Sequence, residues 1–434
     1  MSFDDAPIDP ISADRLEQAG LELRLVDRAD TAAFEAWLQA DSRGFHGPAD
    51  EPERLAEVRE HAPSRRVTGV YDAQGLIDEP VGTTQSWVAP LTLPGGAAVP
   101  LWSIASVTVA PTHRRRGIAR ALLESELRTA AAEGVPIAGL TASETVLYGR
   151  YGFGVATIGE NTEIETKRVR WTGPDAPGRT RFVDPAALLP DALAIIDRAR
   201  AVQPGGIRYD DFMVGLATGL YGRDRAQVRT VRYDDAEGVP QGFASYTLTG
   251  NPADFTKHLV TVRWLVGATD EATAALWRFL LELDLVATVR AIERPVDEPV
   301  NWQLGDLRAA KRTPKDRLWL RILDLPAVLE ARRYAAPATI ALEVDDPLEF
   351  AAGRFLLEAG SDGIGRVKPL AGEVPQGAAS LALPISELSA TVLGGIAPTT
   401  LARAGRITER TPGAALTLER TFAAERTPWL MLEF

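Results

Sequence analysis

The sequence predicts two successive mixed α/β units followed by an α+β unit. Three observations carry this. The first 150 residues alternate apolar strand patterns with helical ones. The segment 257–291 repeats a strand–link–helix–strand plan seen earlier in the chain. Beyond residue 316 the texture changes to short alternating strands broken by Gly, Asp and Pro, before one or two helices. At 434 residues the chain is long enough for such a division. The boundaries implied are 1–164, 165–315 and 316–434.

In the first unit, "LELRLV" alternates as a strand, and Ala33, Trp37 and Leu38 then share a helical face. "RVTGVYD" (66–72) and "GTTQSWVAPL" (82–91) read as strands. "LWSIASVTVAP" is a longer strand stopped by Pro111. From Gly117 to about Glu133 the pattern is helical, with Ile118, Leu122, Leu123, Leu127 and Ala130 on one stripe. Gly134-Val135-Pro136 ends it, and "IAGLTA" is a further strand. In the second unit, "KHLVTVRWLVG" leads through "GATDEA" into a helix and the strand "LVATVRA".

Composition narrows the function. Apolar residues make up 45%, too many for a disordered chain. The net charge of −12 argues against broad nucleic-acid binding and suits a cationic partner. There is no cysteine, which removes disulfides, thiolate metal sites and cysteine nucleophiles. The four histidines, His46, His61, His113 and His258, have no metal-ligand spacing, so no metal is expected. The acidic N-terminus does not read as a signal peptide, and no apolar run approaches the roughly 20 residues of a membrane span. A cytoplasmic location is expected.

Against this acidic background stands "VTVAPTHRRRGIA", residues 107–119. A helix start offers unpaired N–H groups and a partly positive dipole end. An anion is held there. Gly117 lets backbone approach a ligand, and Arg114, Arg115 and Arg116 add charge-assisted contacts to phosphate. A strand–turn–helix pyrophosphate cradle follows. The P-loop and dinucleotide glycine patterns are not matched. The corresponding link in the second unit carries Asp270 and Glu271, which would repel phosphate.

Strand, Pro stop, "RRRGIA" and amphipathic helix together resemble acetyl-coenzyme A binding in the GCN5-related N-acetyltransferase (GNAT) superfamily. The resemblance implies that the backbone of Val107 and Val109 pairs with the pantetheine arm. It also assigns Arg114, Arg115, Arg116, Gly117, Ile118 and Ala119 to the pyrophosphate turn. Added to "ASE..LYGRYGFG", "LWLRILDLPAVLEARRY" and the terminal "EF", it is similar over essentially the whole chain to the enhanced intracellular survival proteins of actinobacteria. That family implies tandem GNAT domains, the second degenerate, then a sterol-carrier-protein-like α+β domain.

The family's chemistry is acetyl transfer to primary amines of cationic small molecules, aminoglycosides and lysine-bearing compounds, often at several positions. Without cysteine, direct transfer in a ternary complex is the simplest route. The resemblance makes Tyr148 the general acid and the carboxylate of Phe434 the base. Ser143 is a cofactor contact that would otherwise cap the following helix. Phe45 lines the amine pocket, or else is a core residue. Glu433 lies near the substrate. Tyr151 and Phe153 read as packing, and His113 as structural or solvent-facing. Where the family has an acidic residue before the pocket aromatic, this chain has Gly44, which puts acceptor preference in doubt. Hexamers, as two trimers, are the family's assembly. Competing readings are a non-catalytic acetyl-coenzyme A sensor or lipid carrier, and a tandem enzyme of the mycothiol-synthase type.

Overall fold

The computed structural model describes residues 3–434. The chain first lays down β1 (Glu22–Leu25), β2 (Arg66–Tyr71), β3 (Gly82–Thr92), β4 (Ala98–Val109), β5 (Ile137–Thr141) and β6 (Gly154–Val155). Then come β7 (Ile158–Glu165), β8 (Arg179–Phe182), β9 (Val228–Asp234), β10 (Pro240–Thr249), β11 (His258–Gly267), β12 (Val286–Pro295) and β13 (Ala310–Asp316). The last six are β14 (Leu318–Ile322), β15 (Ala338–Asp345), β16 (Gly353–Ala359), β17 (Gly365–Pro369), β18 (Ala379–Pro384) and β19 (Thr408–Glu409). Among the described residues, no helix is long and apolar enough to cross a membrane.

Three mixed α/β sheets result, as the sequence predicts, but two strands change places. The first sheet runs β1-β2-β3-β4-β5-β14-β6, the second β13-β7-β12-β11-β10-β9-β8, the third β17-β16-β15-β18-β19. Thus β14, which lies beyond the 315/316 boundary, is a strand of the first sheet. Conversely β7, inside 1–164, belongs to the second. The chain leaves the first sheet after β6, builds the second from β7 to β13, and returns to the first at β14, so linear boundaries and sheet membership do not coincide. Arg321 on β14 ties the first unit to the third. Its buried guanidinium reaches Asp346 at 2.6 Å and the Tyr151 carbonyl at 2.7 Å.

The helix Ile118–Ala132 is buried on more than its predicted stripe, Glu124, Ser125 and Glu126 included. Glu126 is buried against the sheet, where it accepts from Ser86 Oγ at 2.6 Å and Trp102 Nε1 at 2.9 Å, and Glu124 is covered by a helix that sequence periodicity does not reveal. Pro10–Glu17, capped by Asp9, lays Leu16 against Ile118 and Leu122 and pairs Arg15 with Glu124 at 2.9 Å.

In both of the first two units, one parallel strand pair is only partly joined. β4 and β5 pair over Leu101↔Ile137 to Ser103↔Gly139 and then part. β11 and β12 pair from His258↔Val286 to Val262↔Ala291 and then part. Parting parallel strands open a cleft between them, and each cleft is bordered by a helix that follows the first strand of the pair.

Candidate active site

On β4 the partner is β3 on one side. Past Ser103 the other edge has no strand partner among the described residues. Val107 and Val109 lie on this edge, where their backbone groups are available to an extended ligand. The β3–β4 register slips between Thr83 and Gln85, and within this bulge Ser106 takes a left-handed φ of 56°. The bulge brings Ser106 and Val107 to the wall of a cavity of about 250 Å³.

That cavity collects residues from distant parts of the chain. It is lined by Phe45, Ser106, Val107, Thr141, Ser143 and Tyr148, together with Glu433 and Phe434. Tyr148 is buried, with its ring against Phe153 and Trp319 at 6.2 and 6.4 Å. Trp319 sits on the exchanged strand β14, so that strand buttresses the tyrosine. No protein group hydrogen-bonds the Tyr148 hydroxyl among the described residues. Burial raises its pKa, and Glu144 adds to this. The phenol is therefore neutral and holds its proton at pH 7. Phe45 is 53% exposed at the cavity mouth, so it is not a core residue. Ser143 is exposed and does not cap: the helix Thr145–Tyr148 has Glu144 as its N-cap, with no side-chain bond.

The chain terminus reaches the cavity along an irregular path rather than as a closing strand. Trp429 N–H donates to Pro204 O at 2.9 Å, and Trp264 Nε1 to Met431 O at 2.8 Å. Tyr209 brackets Leu432, donating to its carbonyl at 3.0 Å and accepting from its N–H at 2.9 Å. All three anchors belong to the second unit. Thr141 Oγ1 then donates to a Phe434 carboxyl oxygen at 2.9 Å, and the Phe434 ring meets Trp87 edge-on at 5.4 Å. Glu433 is not free: buried Arg317 pairs with it and also contacts Glu293 at 3.4 Å. Burial, and then the Glu433 charge, hold the Glu293 carboxyl above the usual range. Neither Glu293 nor Arg317 is signalled by a sequence motif.

The arginine turn divides. Gly117 has φ 80°, and a Cβ there would meet no atom within 4 Å, so the helix start opens onto free space. The helix has no side-chain cap, which leaves its first N–H groups available. Arg114 and Arg115 are exposed. Arg116 is held instead by Asp72 at 3.2 Å and the Ala19 carbonyl at 2.7 Å. His113 is structural, paired with Asp72 at 3.0 Å. Ile118 is buried in the core, and only its backbone faces the turn. In the second unit, Thr269 accepts from Ala272 N at 3.1 Å and closes the corresponding helix start, with Asp270 and Glu271 in its first turn. Of the two corresponding turns in the first and second units, only the first is open.

Asp41 escapes sequence reading. It lies behind Ser106, whose hydroxyl donates to it at 3.3 Å. Its other carboxyl oxygen is buried without a partner. Burial raises its pKa to about 7 against the opposing Ser106 hydrogen bond, and the nearby Asp50 charge raises it further. The signal that would locate it is helical spacing: Asp41 stands three residues before Gly44 on the helix Thr31–Gly44. A side chain at Gly44 would force Thr108 to shift, because a Cβ would fall 2.4 Å from that of Thr108.

An open strand edge, an uncapped helix start and a tyrosine at the cleft between parting strands define an acetyltransferase of the GNAT class. Acetyltransferase (GNAT) domain models match residues 26–156 and 217–322, and a sterol carrier protein domain matches 325–431. The chain belongs to the Eis family of N-acetyltransferases. It is 32% identical to N-acetyltransferase Eis of Mycobacterium tuberculosis over 397 residues, 88% of this chain and 93% of that protein. It is 34% identical to an uncharacterized N-acetyltransferase of Streptomyces coelicolor, covering 94% and 98% of the two chains. Eis1 from Mycobacterium abscessus superposes with a TM-score of 0.78 at 28% identity, over 95% of this chain and all of that one.

Proposed function

We propose that the chain acetylates primary amines of cationic small molecules, aminoglycosides and lysine-bearing compounds among them, at more than one amine. Acetyl-coenzyme A is the donor, and transfer is direct, within a ternary complex. The observation that carries this reading is the convergence of Tyr148, Phe45, Ser143 and the Phe434 carboxyl on one cavity. It abuts the free edge of β4. The donor's extended arm fits that edge through the backbone of Val107 and Val109, and its pyrophosphate fits the open start at Gly117, Ile118 and Ala119. Arg114 and Arg115 supply charge; Arg116 contributes by holding the turn to Asp72.

Most primary amines arrive protonated, with a pKa near 10. A proton must leave before nitrogen can attack the acetyl carbon. The Phe434 carboxylate, oriented by Thr141, attracts the ammonium and takes its proton through water. As the new C–N bond forms and the C–S bond breaks, Tyr148 donates its proton to the departing thiolate. The nitrogen gives up its second proton as the amide forms, the phenolate recovers one from solvent, and one proton is released in net. Glu433 adds little attraction, because Arg317 already neutralises it. By family likeness the protein is expected as a hexamer, checked by light scattering. We assign the donor site to the first unit, tail anchoring to the second, and no reaction step to the third.

The test is free-thiol release from acetyl-coenzyme A with a panel of polyamines, aminoglycosides and lysine peptides. Amine-dependent release supports the reading, and silence with every amine overturns it.

A further inference from the structure

We propose that Asp41, acting through the Ser106 hydroxyl, is a second proton acceptor on the acceptor side of the cavity, distinct from the terminal carboxylate. The inference rests on the acetyltransfer reading but not on the role of Phe434.

Four observations carry it. Ser106 lines the cavity, and the bulge that turns it there costs a left-handed φ on a non-glycine residue. Its hydroxyl donates to Asp41 while accepting from Gln85 Nε2 at 2.9 Å. With its one donor used, the hydroxyl has a remaining lone pair to accept an N–H from the cavity. Asp41 has a buried oxygen with no partner, an uncompensated cost unless a proton or donor visits it.

The charged groups around the pair fit a proton acceptor. Asp50 faces Asp41 and favours its protonated form. Two cations stand one residue removed, Arg223, which pairs with Asp50 at 2.7 Å, and Arg65. Arg65 donates to Gln85 Oε1 at 3.4 Å, pairs with Asp210 at 2.6 Å, and stacks on Trp87. So no guanidinium contacts Asp41 to lock it ionised. A carboxyl held near neutrality by burial changes protonation in the working range, as a general base requires.

The step balances simply. The nitrogen, already relieved of one proton by the Phe434 carboxylate, gives its second to Ser106 Oγ as the C–N bond forms, while the Ser106 proton passes to Asp41. The products are a neutral amide nitrogen and a protonated carboxyl, with Ser106 unchanged. The proton leaves to solvent before the next cycle. Asp41 is in this sense a positioning and relay residue; Ser106 is the group that touches the acceptor.

The experiment uses the full chain and whichever panel amine turns over, one with a pKa above about 9 so that its own titration falls outside the window. Wild type is expected to show a rise of kcat with pH through about 7. Asp41→Asn and Ser106→Ala should each lose that limb and fall about 100-fold in kcat at pH 8. KM for acetyl-coenzyme A should change less than about threefold. A Phe434 deletion should keep the limb at whatever rate remains. The inference is overturned if Asp41→Asn retains both limb and rate, or if deleting Phe434 alone abolishes the limb. If Asp41→Asn does not fold, Ser106→Ala decides alone. If no amine turns over, the acetyltransfer reading fails and this inference falls with it.

Discussion

The Thr141 hydroxyl donates a 2.9 Å hydrogen bond to the Phe434 carboxyl, joining residues 293 positions apart. This contact holds the Phe434 main chain at the end of β5, beside the cavity that both residues line. Deleting Phe434 is expected to lower kcat at least about 100-fold, the usual scale of lost acid–base help. Thr141→Val should lower it less, because the second-unit anchors still hold the tail. Steady-state kinetics with any competent amine checks both.

Tyr148→Phe removes a hydroxyl that no protein group uses. Its thermal midpoint should stay within about 2 °C of wild type while kcat falls by about 100-fold or more. Equal activity would remove Tyr148 from the mechanism.

Arg317→Gln leaves Glu433 and Glu293 side by side without their cation. The Glu433 side chain is 38% exposed and the Glu293 carboxyl is already raised to about 7, so solvent and proton uptake reduce the cost below that of a fully buried pair. We expect a lower thermal midpoint and a loosened tail. Carboxypeptidase should then release Phe434 from the variant faster than from wild type.

Gly44→Ala should destabilise by about 1–3 kcal/mol through overpacking on Thr108. Gly250→Ala is the control, since a Cβ there meets no atom within 4 Å. Urea midpoints compare the two. A destabilised Gly44→Ala would explain why the family's acidic position cannot be restored here by substitution at residue 44 alone.

Asp41 gives a stability signature separate from activity. Its folded pKa of about 7 lies above the unfolded value near 4. The folded state therefore holds the proton more tightly. That stability is fully present below about pH 4 and is lost as pH rises through 7. Between pH 5 and 8 wild type should lose roughly 2.5 kcal/mol more than Asp41→Asn. Equal losses in urea titrations at the two pH values would contradict it.

The sequence by itself determined the local parts. Alternation and 3.6-residue periodicity located β1 to β5 and the helix after Gly117, because each pattern is complete within a dozen residues. The strings "RRRGIA" and "YGRYGFG" marked a turn and a tyrosine that the structure sets around one cleft. "GATDEA" marked the second helix start as closed to anions, and the Thr269 cap supplies the reason. Tertiary structure decided the rest. The pairing Leu318↔Thr141, which puts β14 in the first sheet, spans 177 positions and leaves no periodic trace. Asp41 reads as one more helical carboxylate until the Ser106 bulge covers it. Glu433 is placed near the substrate by the resemblance, and nothing in the sequence shows that Arg317, just past the end of β13, pairs with it. Local order follows from neighbours along the chain. Burial, pairing and charge neutralisation depend on neighbours in space, and those exist only once the sheets have exchanged strands and closed over the tail.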